Sequence, residues 1–211
     1  MTPPAPAPHR SVKPASPDWW LMARKFFQHG TTIASFAPSS RFLARKIAVG
    51  IDYDQAKCIV ELGAGTGPIT KELIGRVKPH TRLIIVERDP DFCKRLRTRF
   101  ASTPNAEIVE GDAAHIDTLL ADRGITEVCH IVSGLPLPSF PPEVRDAILA
   151  SSARALGAHG TFRQLTYMPL VYWMFYRGYF ADVRFNLVPL NLPPAGVYIC
   201  RGYKTDRPAA A

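Results

Sequence analysis

Three glycines stand between a predicted strand and a predicted helix, where the backbone can approach a bound ligand closely. They are Gly63, Gly65 and Gly67 of the segment VELGAGTGPIT, residues 60–70. Because glycine has no Cβ, such a turn lets a ligand lie against the main chain. The spacing GxGxG differs from the GxGxxG of dinucleotide-binding folds, and no Lys-Ser or Lys-Thr pair follows as in a P-loop. The segment therefore predicts a nucleotide-like cofactor of another type.

Acidic residues occupy the ends of the first three predicted strands. Glu61 lies just before the glycines, Glu87 ends the second strand, and Asp112 ends the third. In a doubly wound sheet, ligands bind at the edge where these strand ends meet. A carboxylate at Glu87 can accept both ribose hydroxyls and would repel a 2′-phosphate. Asp112 is placed to meet an adenine amino group.

The elements that must position these residues alternate between strand and helix from residue 57 onward. This alternation indicates an α/β fold with a mostly parallel sheet, helices on both faces and a final antiparallel pair of strands. The helix before the fifth strand, residues 141–157, opens with proline and closes with Gly157. The predicted strands span residues 57–62, 82–87, 106–112, 127–134, 160–167, 182–190 and 196–204.

Four segments at strand ends, VELGAGTG, IIVERD, EGDA and IVSGLP, together resemble the class I S-adenosylmethionine-dependent methyltransferases. The resemblance covers roughly residues 57–203 and implies a Rossmann-like, seven-stranded, mostly parallel sheet. It implies S-adenosylmethionine as cofactor, with the glycine loop at its methionine part, Glu87 at its ribose and Asp112 at its adenine. The expected cofactor-binding residues are Glu61, Gly63, Gly65, Gly67, Glu87, Asp112, Ala113, Ser133 and Phe36.

The segment ELGAGTGPIT is also close to that of the RNA adenine dimethyltransferases. Those enzymes carry an Asn-Leu-Pro-aromatic motif after the fourth strand, whereas this chain has Ser133, Gly134, Leu135 and Pro136 followed by another leucine. A base taken out of a nucleic acid usually stacks on an aromatic ring. No ring directly follows the proline here, although Phe140 is near. RNA adenine N6-dimethylation is therefore the alternative function.

Soluble bacterial phosphatidylethanolamine N-methyltransferases resemble nearly the whole chain. The shared features are a basic amphipathic helix at 18–29, PSSRFLA at 38–44, ELGAGTGPIT at 61–70 and SGLP at 133–136. The resemblance implies successive methylation of the phosphatidylethanolamine amine to phosphatidylcholine by a peripheral membrane enzyme. We therefore expect an anionic membrane surface and phosphatidylethanolamine with its methylated derivatives as partners, and no nucleic acid.

The expected catalytic residues are those that would hold the lipid amine. Backbone carbonyls of Ser133, Gly134 and Leu135 could orient it, and aromatic faces stabilise methylammonium groups. Tyr167 is the first aromatic after the fifth strand, at the same end of the sheet. The proton acceptor stays open between His115, His130, water and a tyrosine oxygen.

The N-terminal region carries most of the net charge of +8, since residues 1–50 hold seven lysines and arginines against Asp18. We expect residues 1–17 to form a disordered, basic, proline-rich arm. Residues 18–50 are predicted to form amphipathic helices that dock on a membrane, although the aromatics of 18–29 could equally pack on the core. Residues 51–205 would then be the methyltransferase domain, and residues 206–211 a tail.

The four cysteines form no CxxC pair, and no His/Cys cluster suggests a metal site. This pattern indicates buried thiols in a reducing compartment and no metal cofactor. No apolar run approaches the length of a membrane span, and the first residues lack the apolar core of a signal peptide. We expect a cytoplasmic protein attached peripherally to the inner face of the cytoplasmic membrane.

Overall fold

The computed structural model describes residues 39–168, 171–188 and 195–205. Their strands form a seven-stranded sheet in the order β3-β2-β1-β4-β5-β7-β6. Strands β1 to β5 are parallel, whereas β7 is antiparallel to both β5 and β6. The predicted α/β fold with a final antiparallel pair is confirmed. The strands are β1 Cys58–Leu62, β2 Arg82–Glu87, β3 Ala106–Glu110, β4 Val128–Ser133, β5 Leu156–Thr166, β6 Phe180–Val188 and β7 Ala195–Tyr203.

Six α-helices cover the two faces of the sheet within the described ranges. The first three pack on one face through residues such as Ile47, Leu73 and Leu96. The other three pack on the opposite face through residues such as Leu120 and Leu149. The helices are α1 Ser39–Ala48, α2 Pro68–Ile74, α3 Pro90–Arg99, α4 Ile116–Ala121, α5 Pro142–Ala155 and α6 Trp173–Tyr179. Short 3₁₀ turns lie at Ala113–His115 and Leu137–Ser139.

Local sequence explains where the elements near the carboxyl edge begin. Strand β1 reads CIVEL and is buried throughout, as expected of a central parallel strand covered on both faces. Asp89 caps α3, because its carboxylate accepts hydrogen bonds from the backbone amides of Asp91 and Phe92. Pro90 follows at the first helical turn, where its missing N–H costs nothing. Asp89 and Pro90 together set the start of α3.

Helix α1 is tied to the sheet by a buried arginine. Arg163 of β5, which is 3% exposed, donates 2.7 Å hydrogen bonds to the carbonyls of Ile47 and Val49 and one of 3.0 Å to that of Gly50. These carbonyls end the helix, where unpaired acceptors and the negative end of the helix dipole favour a cation. Leu43 and Ile47 are fully buried on the same face. The described part of the predicted docking segment therefore packs on the core.

Several predicted features of the N-terminal and C-terminal segments lie outside the described residues. They are the arm 1–17, the aromatic-basic helix 18–29, Phe36 and the tail 206–211.

The boundary between α5 and β5 differs from the sequence-based prediction. Helix α5 ends at Ala155 and β5 begins at Leu156, so Gly157 belongs to the strand and does not end the helix. Strand β4 shifts register between Val128 and His130, which lets Leu156 pair with Val128. A Cβ at Gly157 would collide with the side chain of Glu127. Gly157 therefore serves close strand packing.

Candidate active site

The glycine loop turns sharply at the carboxyl end of β1. Gly63, Gly65 and Gly67 have φ angles of 71°, 54° and 82°, in the left-handed region that favours glycine. The amide of Gly63 donates a 2.9 Å hydrogen bond to the carbonyl of Val86. A Cβ at Gly67 would lie 2.8 Å from Cδ2 of Leu96. The loop therefore needs glycine for its conformation and for close packing against α3.

Glu87 connects the end of β2 to this loop. Its Oε2 accepts a 2.8 Å hydrogen bond from the amide of Gly65, and its Oε1 accepts bonds of 2.8 and 2.9 Å from the amides of Arg88 and Asp89. Burial raises the pKa of Glu87, and these three N–H donors oppose the rise. A carboxylate can accept about four hydrogen bonds. Three of these sites are used, so Glu87 keeps room for about one further donor, such as one of the ribose hydroxyls expected from the sequence.

Glu61 is a fully buried carboxylate at the end of β1. Neither of its oxygens makes a hydrogen bond of standard geometry with a described residue, although the hydroxyl and the amide of Thr70 lie close enough to interact with it. Burial raises the pKa of Glu61 to about 8, and Thr70 only partly opposes this rise. A buried acceptor without a donor is uncommon and costly. Its place beside the glycine loop fits a cationic group of a cofactor, such as the ammonium of a methionine moiety.

The ends of β1 to β4 border a cleft with about 380 Å³ of empty space. Its lining residues are Gly63, Val86, Glu87, Arg88, Gly111, Asp112, Ala113, Leu135, Phe140 and Ile148. Four of the predicted cofactor-binding residues, from three different strand ends, line this one cleft. It combines carboxylates with an apolar wall, as expected of a nucleoside site.

Asp112 lies in this cleft but is already engaged. Its Oδ1 accepts a 3.0 Å hydrogen bond from the amide of Ala114, and its Oδ2 lies 3.4 Å from Nη1 of Arg88. Arg88 and Ile148 were not among the residues predicted for the site, and Phe140 was considered only as a ring for a nucleic-acid base. The position of Arg88 directly after Glu87 in IIVERD was the available signal for the arginine.

The SGLP segment follows β4 and lies against the glycine loop. Ser133 is fully buried at the end of β4, and its Oγ accepts a 3.3 Å hydrogen bond from the amide of Leu135. The amide of Gly134 donates a 3.0 Å bond to the carbonyl of Leu62. A Cβ at Gly134 would stand 3.0 Å from the carbonyl oxygen of Gly63. Glycine therefore lets the two segments meet closely, since a Cβ here would press on this carbonyl oxygen.

The aromatic residues at 167–180 range from fully buried to exposed, and Tyr172, Trp173 and Phe175 are half-buried. Tyr176 is 1% exposed, and its ring lies 4.8 Å from that of Tyr198 in β7. Tyr179 and Phe180 are also buried, so these rings pack α6 onto the sheet. Tyr167, in contrast, is 39% exposed just after β5. Tyr167, the aromatic residue predicted for the substrate, is thus the most exposed of this group.

The two candidate histidines occupy different surroundings. His130 lies within β4, and its Nδ1 is 2.7 Å from Oγ1 of Thr161. Burial, together with Arg163 and Arg201, lowers the pKa of His130 to about 4. It precedes Ser133 by about 10 Å along the strand. His130 is thus a neutral structural histidine, whereas His115 is exposed at the end of a 3₁₀ turn.

No helix in the described ranges is both long enough and apolar enough to cross a bilayer. Among the same residues, no three His, Cys, Asp or Glu side chains come together as they would around a metal ion.

Comparison with known proteins gives one match over most of the chain and several shorter ones. Residues 38–137 match the family model described as ribosomal RNA adenine dimethylase. The ornithine lipid N-methyltransferase of Singulisphaera acidiphila is 50% identical over 187 residues, which are 89% of this chain and 97% of that protein. A probable ribosomal RNA small subunit methyltransferase A of Methanosarcina acetivorans is 32% identical over 88 residues, which are 42% of this chain and 32% of that protein.

Among solved structures, a phosphoethanolamine N-methyltransferase of Haemonchus contortus in complex with phosphoethanolamine and S-adenosylhomocysteine superposes with a TM-score of 0.61. The superposition covers 90% of this chain and 51% of that chain at 13% identity. At this identity the likeness concerns the fold.

Proposed function

Because the chain belongs to the class I S-adenosylmethionine-dependent methyltransferases, in one family with the ornithine lipid N-methyltransferase of Singulisphaera acidiphila, we propose that it methylates the amine of a membrane lipid head group. The 50% identity along nearly the whole of that relative carries the proposal. The matches to ribosomal RNA methyltransferases cover less of either chain.

Two head groups fit this chemistry, since each presents a primary amine on a short alkyl chain. The relative favours ornithine lipid. Phosphatidylethanolamine and its stepwise conversion to phosphatidylcholine are favoured by two segments that resemble those of the phosphatidylethanolamine N-methyltransferases. These segments are PSSRFLA and SGLP. We take ornithine lipid as the first candidate and phosphatidylethanolamine as the second.

S-adenosylmethionine, when bound, supplies a methyl group that the lone pair of the amine takes from sulfur, and the nitrogen loses one proton for each methyl group gained. Glu61 would face the methionine ammonium and Glu87 the ribose hydroxyls. Asp112, with Arg88 beside it, would meet the adenine edge. Gly63, Gly65, Gly67, Ala113, Ser133 and Phe36 complete the proposed cofactor-binding set.

The residues around Ser133 would then act on the lipid amine. An alkylammonium keeps its proton at neutral pH, so the site must favour the neutral amine and hold its lone pair in line. Ser133 Oγ and the carbonyl of Gly134 stand at the end of β4, against the glycine loop. The carbonyl of Leu135 already accepts hydrogen bonds from the amide of Leu137 and from Nε2 of Gln164, so it contributes less to holding the amine. Tyr167 would offer its ring to the methylated product.

The proposed place of action is the inner face of the cytoplasmic membrane. Apolar surface is exposed beyond the end of β5, at the same edge of the sheet as the site. The residues that expose it are Tyr167, Met168, Val171 and Met174. The cations of residues 1–50 would attract anionic head groups. A lipid amine would then reach the site from the bilayer surface.

The test is methyl transfer from labelled S-adenosylmethionine to three acceptors offered separately. They are vesicles containing ornithine lipid, vesicles containing phosphatidylethanolamine, and undermethylated ribosomal RNA. We expect labelled lipid and no labelled RNA. Label in RNA alone would replace the proposal with adenine dimethylation, the alternative raised by the family match at residues 38–137.

A further inference from the structure

Gln164 lies beside Ser133 in the sheet. The two residues are partners across β4 and β5, and Gln164 in turn pairs with Tyr198 of β7. The side chain of Gln164 is 1% exposed. A buried amide therefore stands next to the residue that ends β4 at the proposed amine site.

Two carbonyl groups fix the orientation of this amide. Nε2 of Gln164 donates hydrogen bonds of 2.8 Å to the carbonyl of Leu135 and 2.9 Å to the carbonyl of Leu165. Carbonyl oxygens only accept, so the amide nitrogen must face them and the oxygen must face away. Gln164 therefore clamps Leu135, which lines the cleft.

The amide oxygen of Gln164 is left without a donor. Oε1 is buried and makes no hydrogen bond with the described residues. Native proteins rarely leave such an acceptor unpaired, and an unpaired one in the interior marks a place where a ligand donor can be bound strongly. A ligand at this place would bring a hydrogen-bond donor, as the N–H groups of an amine do.

We propose that Oε1 of Gln164 accepts a hydrogen bond from the amine of the lipid head group and so directs its lone pair toward the methyl donor; this inference rests on the proposed function. Ser133 stands where the RNA adenine dimethyltransferases carry asparagine, so β4 ends in a hydroxyl instead of an amide. Gln164 brings an amide to the neighbouring position from β5.

The first test compares Gln164→Met with Thr161→Val. Methionine matches glutamine in size but neither donates nor accepts strongly, and Thr161 is another buried polar residue of β5, bonded to His130. We expect Gln164→Met to lower kcat for the unmethylated lipid about 10- to 100-fold, with a nearly unchanged Kd for S-adenosylmethionine. Thr161→Val should keep kcat within about 3-fold. Equal kcat values for the two variants would overturn the inference.

The number of N–H groups on the substrate supplies a readout that a purely structural residue would not move. A neutral primary amine has two N–H groups, whereas the dimethylated amine has none to donate. Gln164→Met should therefore slow the first transfer more than the third. If both transfers are slowed equally, Gln164 only holds Leu135 in place and the inference is wrong.

Rescue gives a further measurement that does not depend on multiple transfers. Adding Ser133→Asn to Gln164→Met returns an amide oxygen to the adjacent strand, so kcat should recover by about 5-fold or more over the single variant. If the methionine variant does not fold, Gln164→Asn replaces it, because asparagine keeps the amide but is shorter by one methylene. Gln164→Asn should lower kcat and leave the Kd for S-adenosylmethionine unchanged. No loss in Gln164→Asn and no recovery in the double variant would both count against the inference.

The wild-type enzyme separates this inference from the proposed function. A wild type that transfers no methyl group to either lipid would refute the proposed function itself. An active wild type whose activity survives Gln164→Met would refute only the role of Gln164.

Discussion

The amide of Gly65 donates a 2.8 Å hydrogen bond to Oε2 of Glu87, and this bond joins the glycine loop after β1 to the end of β2. The two residues are 22 positions apart in the chain. The bond holds the loop over the carboxylate that is expected to bind the ribose. The conformation of the loop and the position of the acid therefore depend on each other.

Glu87→Ala should weaken cofactor binding. The substitution removes the carboxylate from the ribose and frees the amide of Gly65, so we expect the Kd for S-adenosylmethionine to rise about 10- to 100-fold, as for loss of one or two charge-assisted hydrogen bonds. Glu110, the partner of Glu87 at the end of β3, is exposed and makes a suitable control. Calorimetric titration that gives the same Kd for Glu87→Ala and Glu110→Ala would contradict this assignment.

Glu61 should make the stability of the cofactor-free protein depend on pH. The unfolded chain loses the proton of this carboxyl above its ordinary pKa of 4.5, whereas the folded protein keeps it until about pH 8. Between these values the unfolded state binds fewer protons, so the free energy of unfolding falls as the pH rises. Glu61→Gln cannot ionise and should be the more stable protein at about pH 8, by on the order of 4 kcal/mol. Chemical denaturation from about pH 5 to about pH 8 measures this difference, and parallel curves for the two proteins would rule it out.

Cofactor binding should release a proton from Glu61. Near neutral pH the buried carboxyl of the unliganded protein holds its proton, since its pKa is about 8. A cationic methionine ammonium beside it would favour the carboxylate and lower this pKa. Calorimetry in two buffers of different ionisation enthalpy should show proton release in the wild type and less release in Glu61→Gln. The same proton count in both proteins would place the ammonium elsewhere.

Arg163→Met should loosen α1 from the sheet. The variant leaves the carbonyls of Ile47, Val49 and Gly50 without their guanidinium donor, so we expect a loss of about 2–4 kcal/mol in the free energy of unfolding. The charge of Arg163 also helps to lower the pKa of His130, so that pKa should rise in the variant. Arg184→Met, on the exposed side of β6, is the matched control. Equal denaturation midpoints in the two variants would show that the clamp contributes nothing.

Membrane attachment should depend on apolar residues beyond β5 as well as on the N-terminal segment. Met174 is 73% exposed on α6, so Met174→Glu should weaken sedimentation with anionic vesicles without lowering stability. Trp20→Glu and Arg24→Glu should weaken it through the predicted aromatic-basic helix. Thr98→Glu adds the same charge on α3, across the sheet, and should bind as the wild type does. If the first three variants sediment with vesicles as the wild type does, the proposed membrane attachment through these residues is wrong.

The sequence alone predicted those candidate site residues that lie directly at the end of a strand. Glu61, Glu87 and Asp112 follow apolar strands, and parallel strands bring their carboxyl ends to one edge of the sheet. The glycine spacing in VELGAGTG added the loop between them. These local features predicted the fold and the cleft because each depends on a short segment.

Contacts that depend on strand order and register could not be predicted from the sequence. The clamp of Gln164 on Leu135 requires β5 to lie beside β4, with residues 29 positions apart brought together. The hydrogen bond between Thr161 and His130, which marks the histidine as structural, has the same origin. The aromatic run after β5 could not be divided either, because the side chains that α6 buries depend on its docking against Tyr198.

The most direct measurement of the central claim is the position of the transferred methyl group. The wild-type protein would be incubated with isotope-labelled S-adenosylmethionine and vesicles containing ornithine lipid or phosphatidylethanolamine, and the extracted lipids fragmented in a mass spectrometer. We predict label on the head-group nitrogen of at least one of the two lipids, and none when the amine is acetylated beforehand. Unlabelled lipids in the presence of demonstrated cofactor binding would contradict the account.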